Sequence, residues 1–213
     1  MPIFKTITID ATHKLLIWKI EETLEELYQP IKLTPTSEHR LQNMKSSIHQ
    51  KGYLAVRHLL KEVQLSDADL YYESTGKPLL YNGKCISISH SHQFAAIVIG
   101  NNCMGVDIEK QQEKILHIAS KFTPIHEYRT LANDDAIIRK LTLVWAAKEA
   151  IYKCYSTKGV SFLKDIDVDD FDLGSLRTTA SLQFKGMKKD FEVKFLEFEN
   201  FGGAYVYPIM NHN

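Results

Sequence analysis

The chain has 213 residues, 44% of them hydrophobic and 24% charged, an ordinary globular composition that excludes general disorder and allows one large domain or two small ones. Its 26 basic and 26 acidic residues balance, which gives no general case for a nucleic-acid or membrane surface, and no apolar run approaches the ~18 residues of a spanning helix. Cys85, Cys103 and Cys154 include no C-x-x-C pair, and Met1-Pro2-Ile3-Phe4-Lys5 lacks a secretion layout, so reduced thiols in a cytoplasmic protein are expected.

Along the chain, Ser37 is expected to cap a long helical stretch carrying Leu41, Met44 and Ile48 at helical spacing, with a break at Gly52. This region is basic: between residues 32 and 61, Lys32, Arg40, Lys45, Lys51, Arg57 and Lys61 face Glu38 alone. The period then changes. Leu70-Tyr71-Tyr72 reads as a short strand, residues 74–78 as a turn, and Ile86–Ser89, Phe94–Ile99 and Met104–Glu109 as strands, with a hairpin turn at Gly100-Asn101-Asn102. Helices are expected over Ile115–Phe122, again after Pro124, and strongly over Asp134–Cys154. Four strands follow, at Ser161–Val168, Ala180–Phe184, Phe191–Phe198 and Gly203–Tyr207. Each half mixes helices with antiparallel strands, so the fold class is α+β, in two lobes of residues 1–103 and 104–213 with a ligand cleft between them.

Two stretches stand out chemically. In Gly105-Val106-Asp107-Ile108-Glu109 the two carboxylates project from one face of a strand. Such a pair either holds a hard cation such as Mg²⁺ or is simply solvated. In Trp145-Ala146-Ala147-Lys148-Glu149-Ala150-Ile151-Tyr152-Lys153, helical spacing stacks Trp145, Glu149 and Lys153 on one face. A carboxylate and an ammonium one turn apart can hold a metal and a phosphate together; they can equally be a surface pair beside a core tryptophan.

Two further segments are weaker alone. Ser87-Ile88-Ser89-His90-Ser91-His92 offers hydroxyls and imidazoles to an anion or to solvent, and Gly76-Lys77-Pro78 is a turn with a cation at its tip. Asp165, Asp167, Asp169, Asp170 and Asp172 fail as a calcium loop, because Asp170 stands where glycine is required and Leu176 where glutamate is required. They read as charges on the solvent face of a strand.

The order of these segments matters more than any one of them. A basic helix, Gly-Lys-Pro, Ile-Ser-Ile-Ser-His-Ser, Gly-Val-Asp-Ile-Glu, Lys-Phe with Glu127 downstream, and Trp-x-x-Lys-Glu-Ala-x-x-Lys together resemble the 4′-phosphopantetheinyl transferase superfamily, in its two-lobed monomeric type. The resemblance implies two pseudo-symmetric lobes with the active site in the cleft between them. It also implies transfer of the phosphopantetheine arm from coenzyme A to a serine of an apo acyl or peptidyl carrier protein, with release of 3′,5′-ADP. Carried over residue by residue, Asp107, Glu109 and Glu149 become ligands of Mg²⁺, with Mn²⁺ as the alternative ion. Lys153 contacts the pyrophosphate, Arg40, Arg57, Ser89 and His90 address coenzyme A phosphates, and Lys77 and Pro78 border the adenine. Glu149 is the first candidate for the general base and Glu127 the second; His92 has no assigned role. Nucleic acid and membrane are not expected partners. Two rivals stay open: a silent coenzyme A or carrier-binding module, and a Mg²⁺-dependent nuclease suggested by Asp107-x-Glu109-Lys110.

Overall fold

A computed structural model describes residues 3–124 and 133–209. Two compact units divide the chain, Met1–Asn102 and Cys103–Asn213. Among the described residues, no helix is long and apolar enough to cross a membrane.

The first unit begins with a hairpin that sequence reasoning did not anticipate, β1 (Ile3–Thr8) and β2 (Lys14–Lys19). Leu15, Leu16, Ile17 and Trp18 are all buried, so β2 shows no alternation; it is a central strand covered on both faces. Three helices follow. Thr23 caps α1 (Leu24–Tyr28) in a reciprocal capping box with Glu26. Thr34 caps α2 (Pro35–Gln42), with Pro35 at the start of its first turn. The basic stretch is therefore two helices, but Thr34 rather than Ser37 opens it, and the break falls before α3 (Ser47–Glu62) rather than at Gly52. Gly52 lies inside α3 for a different reason: a Cβ there would stand 3.0 Å from His90 Cγ, so its absence lets a strand approach the helix closely.

After a 3₁₀ turn at Asp67–Asp69 come β3 (Leu70–Tyr72), β4 (Pro78–Leu80), β5 (Cys85–Ser91) and β6 (Phe94–Gly100). β3 and β4 pair with each other, and the four-stranded antiparallel sheet has the order β1-β2-β6-β5. The β5–β6 hairpin turns through His92, whose φ of +50° gives this imidazole a backbone role in the turn. The hairpin expected at Gly100-Asn101-Asn102 does not form, because β6 pairs with β2 and β5 instead. Buried His13 redirects the chain there: its Nε2 accepts from the Asn102 N–H at 3.0 Å, and a Cβ on Gly100 would collide with its ring.

The second unit contains β7 (Gly105–Lys110), α4 (Lys114–Ile118) with a 3₁₀ turn at Ala119–Lys121, and α5 (Asp134–Tyr155). Then come β8 (Ile166–Val168), β9 (Arg177–Phe184), β10 (Met187–Phe198) and β11 (Phe201–Pro208). Its antiparallel sheet has the order β7-β11-β10-β9-β8. Two-residue turns at Lys185-Gly186 and Glu199-Asn200 have positive φ at both positions, the primed geometry that matches strand twist. The strand expected over Ser161–Val168 shrinks to three residues, because the backbone before it turns, with Asp165 Oδ2 accepting from the Ser161 N–H at 2.6 Å. The helix expected after Pro124 falls largely at residues 125–132, outside the described residues. Both units mix α and β as expected.

Candidate active site

α5 is the longest helix described, and its N-terminus is set by Asn133, whose side chain accepts from the Ala136 N–H at 2.9 Å. It ends where Ser156 adopts φ +52°. α5 packs on β7 and β11. The contact is close because two sheet positions lack side chains: a Cβ on Gly105 would lie 1.8 Å from the Ala150 carbonyl oxygen, and one on Gly202 would lie 3.1 Å from Thr142 Cγ2. Gly105 therefore faces α5, and by strand alternation Asp107 and Glu109 face it too.

That geometry gathers the charged residues singled out from both motifs. Lys153 Nζ donates to Asp107 Oδ1 at 2.6 Å and to the Val106 carbonyl at 3.3 Å. Trp145 Nε1 donates to Glu109 Oε1 at 3.3 Å, while its ring packs on Phe122 and Phe162. Sequence reasoning treated Trp145 as a core anchor and missed this contact, though its four-residue spacing from Glu149 carried the signal. Glu149 is pushed up from 4.5 to about 7, chiefly by burial and next by the Asp107 charge; Lys153 opposes the rise and Glu109 adds to it. Asp107 itself is buried, with Lys153 as its counter-ion.

Lys148 points elsewhere. At 2% exposure it donates to the carbonyls of Phe122, Phe162 and Ile166 at 2.5, 2.8 and 2.8 Å, tying α5 to three other segments of the unit. Lys140 likewise pairs with Asp170 and donates to the Phe171 carbonyl, and Asp167 is an exposed strand residue between two buried ones. Of the aspartate-rich stretch, only Asp167 lies on the solvent face of a strand; Asp165 accepts from the Ser161 N–H, Asp170 pairs with Lys140 and Asp172 accepts from the Gly174 N–H, because the strand stops at Val168.

The donor chemistry of Asp107, Glu109 and Glu149 fits a hard divalent cation, which takes oxygen ligands and would relieve the repulsion that adds to the effect of burial on Glu149. Among the described residues no three acidic, histidine or cysteine side chains are drawn into a ligating cluster, and the ammonium of Lys153 sits on Asp107 as its counter-charge. Glu127 lies outside the described residues.

In the first unit, Arg40 is exposed on α2, its guanidinium 4.4 Å from the centre of the Tyr72 ring. Lys77 and Pro78 lie at the β3–β4 turn, where the Glu73 N–H donates to the Lys77 carbonyl and Gly76 takes φ +88°. Ser89 is buried and His90 exposed on β5, the His90 ring lying against Gly52 and 6.0 Å from the His49 ring. Arg57, expected as a phosphate contact, lies in a buried ion pair. It is 2% exposed, donates through Nε to Asp67 Oδ1 at 2.8 Å and through Nη1 to the Tyr53 carbonyl at 3.2 Å, and stacks on the Tyr53 ring. Asp67 completes the network by accepting from Ser37 Oγ and from both the N–H and hydroxyl of Thr34. Burial pushes Asp67 up, but the Thr34 N–H, Arg57 and the two hydroxyls outweigh it and hold the carboxyl below its ordinary value. Arg57 is a structural ion-pair partner that joins α3 to the α2 cap.

The chain is 33% identical over 113 residues to enterobactin synthase component D of Salmonella typhi, an alignment covering 52% of this chain and 48% of the relative. The match thus spans about half the length of that curated relative. Residues 103–209, half of the chain and all of the acidic site just described, match the sequence profile of the 4′-phosphopantetheinyl transferase superfamily, and the chain belongs to that family.

Proposed function

We propose that the protein transfers the 4′-phosphopantetheine arm of coenzyme A to a serine of an apo acyl or peptidyl carrier protein, with Mg²⁺, releasing 3′,5′-ADP. The two units serve as the two lobes of a cytoplasmic, monomeric enzyme. The observation that carries the proposal is the contact of the two motifs, Lys153 Nζ on Asp107 Oδ1 at 2.6 Å and Trp145 Nε1 on Glu109 Oε1 at 3.3 Å, inside the stretch that matches the family.

Asp107, Glu109 and Glu149 would hold the divalent cation, which supplies Lewis-acid polarisation of the pyrophosphate when bound. Phosphoryl transfer asks the protein mainly for positioning and charge neutralisation. Lys153 would supply positive charge for the leaving phosphate; its ammonium donates to Asp107 Oδ1 at 2.6 Å and to the Val106 carbonyl at 3.3 Å, beside the proposed cation ligands. Glu149 is the first candidate to accept the carrier-serine proton, and Glu127 the second. Trp145 fixes the carboxylate of Glu109 through its indole N–H. Arg40, Ser89 and His90 address the coenzyme A phosphates, and Lys77 and Pro78 border its adenine.

The test is the intact mass of an apo carrier protein incubated with this protein, coenzyme A and Mg²⁺, with a chelator control. One added phosphopantetheine that disappears with chelator is the expected result. No gain across several unrelated carriers, while coenzyme A still binds, would replace the enzyme by a silent binding module.

A further inference from the structure

Two thiols meet at the far end of the α5–β7 contact. Cys103 stands two residues before β7, in a segment with no regular secondary structure, and Cys154 lies in the last turn of α5. Their Sγ atoms are 3.4 Å apart, and Cys103 Sγ also donates to the Cys154 carbonyl at 3.0 Å. Both are thiols, with no disulfide between them. They differ in access: Cys154 is buried at 6% exposure, whereas Cys103 is only partly covered. The reaction proposed above uses neither. A disulfide needs the sulfurs at about 2.05 Å, so the remaining approach is roughly 1.4 Å. The irregular backbone around Cys103 can supply that movement more readily than the helical turn that holds Cys154.

We propose that Cys103 and Cys154 form a site of reversible oxidative modification that responds to peroxide. The sulfur of Cys103, the more accessible thiol, attacks one peroxide oxygen. The O–O bond breaks, a sulfenic acid forms on Cys103, and the other oxygen leaves as water. The Cys154 sulfur then attacks the Cys103 sulfur; an S–S bond forms, the S–O bond breaks, and the hydroxyl leaves with the Cys154 proton as a second water. Two thiols and one peroxide thus give one disulfide and two waters, and the two electrons lost by the sulfurs reduce the peroxide. Reduction by a dithiol reverses the change. The cross-link ties the chain entering β7 to α5 at the residue after Lys153, whose ammonium holds Asp107. This modification is independent of what the active site transfers.

The experiment uses the full chain, treated with a small excess of hydrogen peroxide, quenched with N-ethylmaleimide and mapped by mass spectrometry without reduction. The expected result is a peptide pair joining Cys103 to Cys154, lighter by two hydrogens than the reduced pair and abolished by dithiothreitol, with Cys85 alkylated. A Cys85→Ser variant should give the same map. In Cys154→Ser, dimedone should trap a sulfenic acid at Cys103. Alkylation of both Cys103 and Cys154 after peroxide, a disulfide that includes Cys85, or one that joins two chains would overturn the proposal.

Discussion

Replacing Glu149 by Gln tests the electrostatic reading of the acidic site directly. Glu149 rises from 4.5 to about 7 because burial and the Asp107 charge disfavour its ionised form. A folded-state pKa above the unfolded one stabilises fully below the unfolded pKa, and that contribution is lost as pH rises through about 7. At about 1.36 kcal/mol per pKa unit, the whole shift corresponds to about 3 kcal/mol, of which about 2.5 develops between pH 5 and 8. Glutamine keeps the shape and carries no charge, so it escapes this loss. Urea unfolding of both forms at pH 5 and pH 8, in chelator, should show the variant gaining roughly 2 to 3 kcal/mol on the parent between those two conditions. Titrating groups remote from Glu149 cancel in the comparison. A stability difference that is the same at both pH values would refute the argument, since Glu149 would then ionise freely in the fold. Added Mg²⁺ should stabilise the parent more at pH 8 than at pH 6, and the variant less than the parent at either.

The other expectations concern the parts that hold this site. Lys148→Met removes the donor shared by the Phe122, Phe162 and Ile166 carbonyls, and should cost about 3 to 5 kcal/mol in urea unfolding; a loss under 1 would mean these carbonyls have other partners. Gly105→Ala places a methyl 1.8 Å from the Ala150 oxygen, so β7 and α5 must separate. Hydrogen exchange in β7 should accelerate markedly, and unchanged protection would show that the helix yields cheaply. Trp145→Phe retains the packing on Phe122 and Phe162 but loses the N–H to Glu109. Stability should change by about 1 kcal/mol at most while Mg²⁺ affinity, read calorimetrically, falls several-fold; unchanged affinity would remove Trp145 from the site.

How much of this was legible in the chain follows from where each signal resides. Asp107, Glu109, Glu149 and Lys153 were readable because the periods of a strand and a helix fix which side chains share a face, whatever the surrounding fold. The ion pair of Arg57 was not readable, for the opposite reason. Its partner Asp67 lies in a 3₁₀ turn beyond the end of its own helix, and nothing in local spacing announces a buried ion pair. β2 escaped notice because Leu15, Leu16, Ile17 and Trp18 are covered on both faces, which erases alternation. The hairpin expected at Gly100-Asn101-Asn102 was sound turn chemistry defeated by His13, a residue at the other end of the first unit's sequence.

The strand order of the second sheet carries a kinetic consequence. β7 is the first strand of its unit to be synthesised, yet its one sheet neighbour among the described residues is β11, the last of the described strands. Until β11 emerges, the backbone bearing Asp107 and Glu109 has α5 as a neighbour but no completed ladder. Closing so distant a pair carries the loop entropy of almost the whole unit and places the step late in folding. A nascent or truncated chain ending in β10 would therefore hold both acidic motifs and still lack the backbone pairing that sets their spacing.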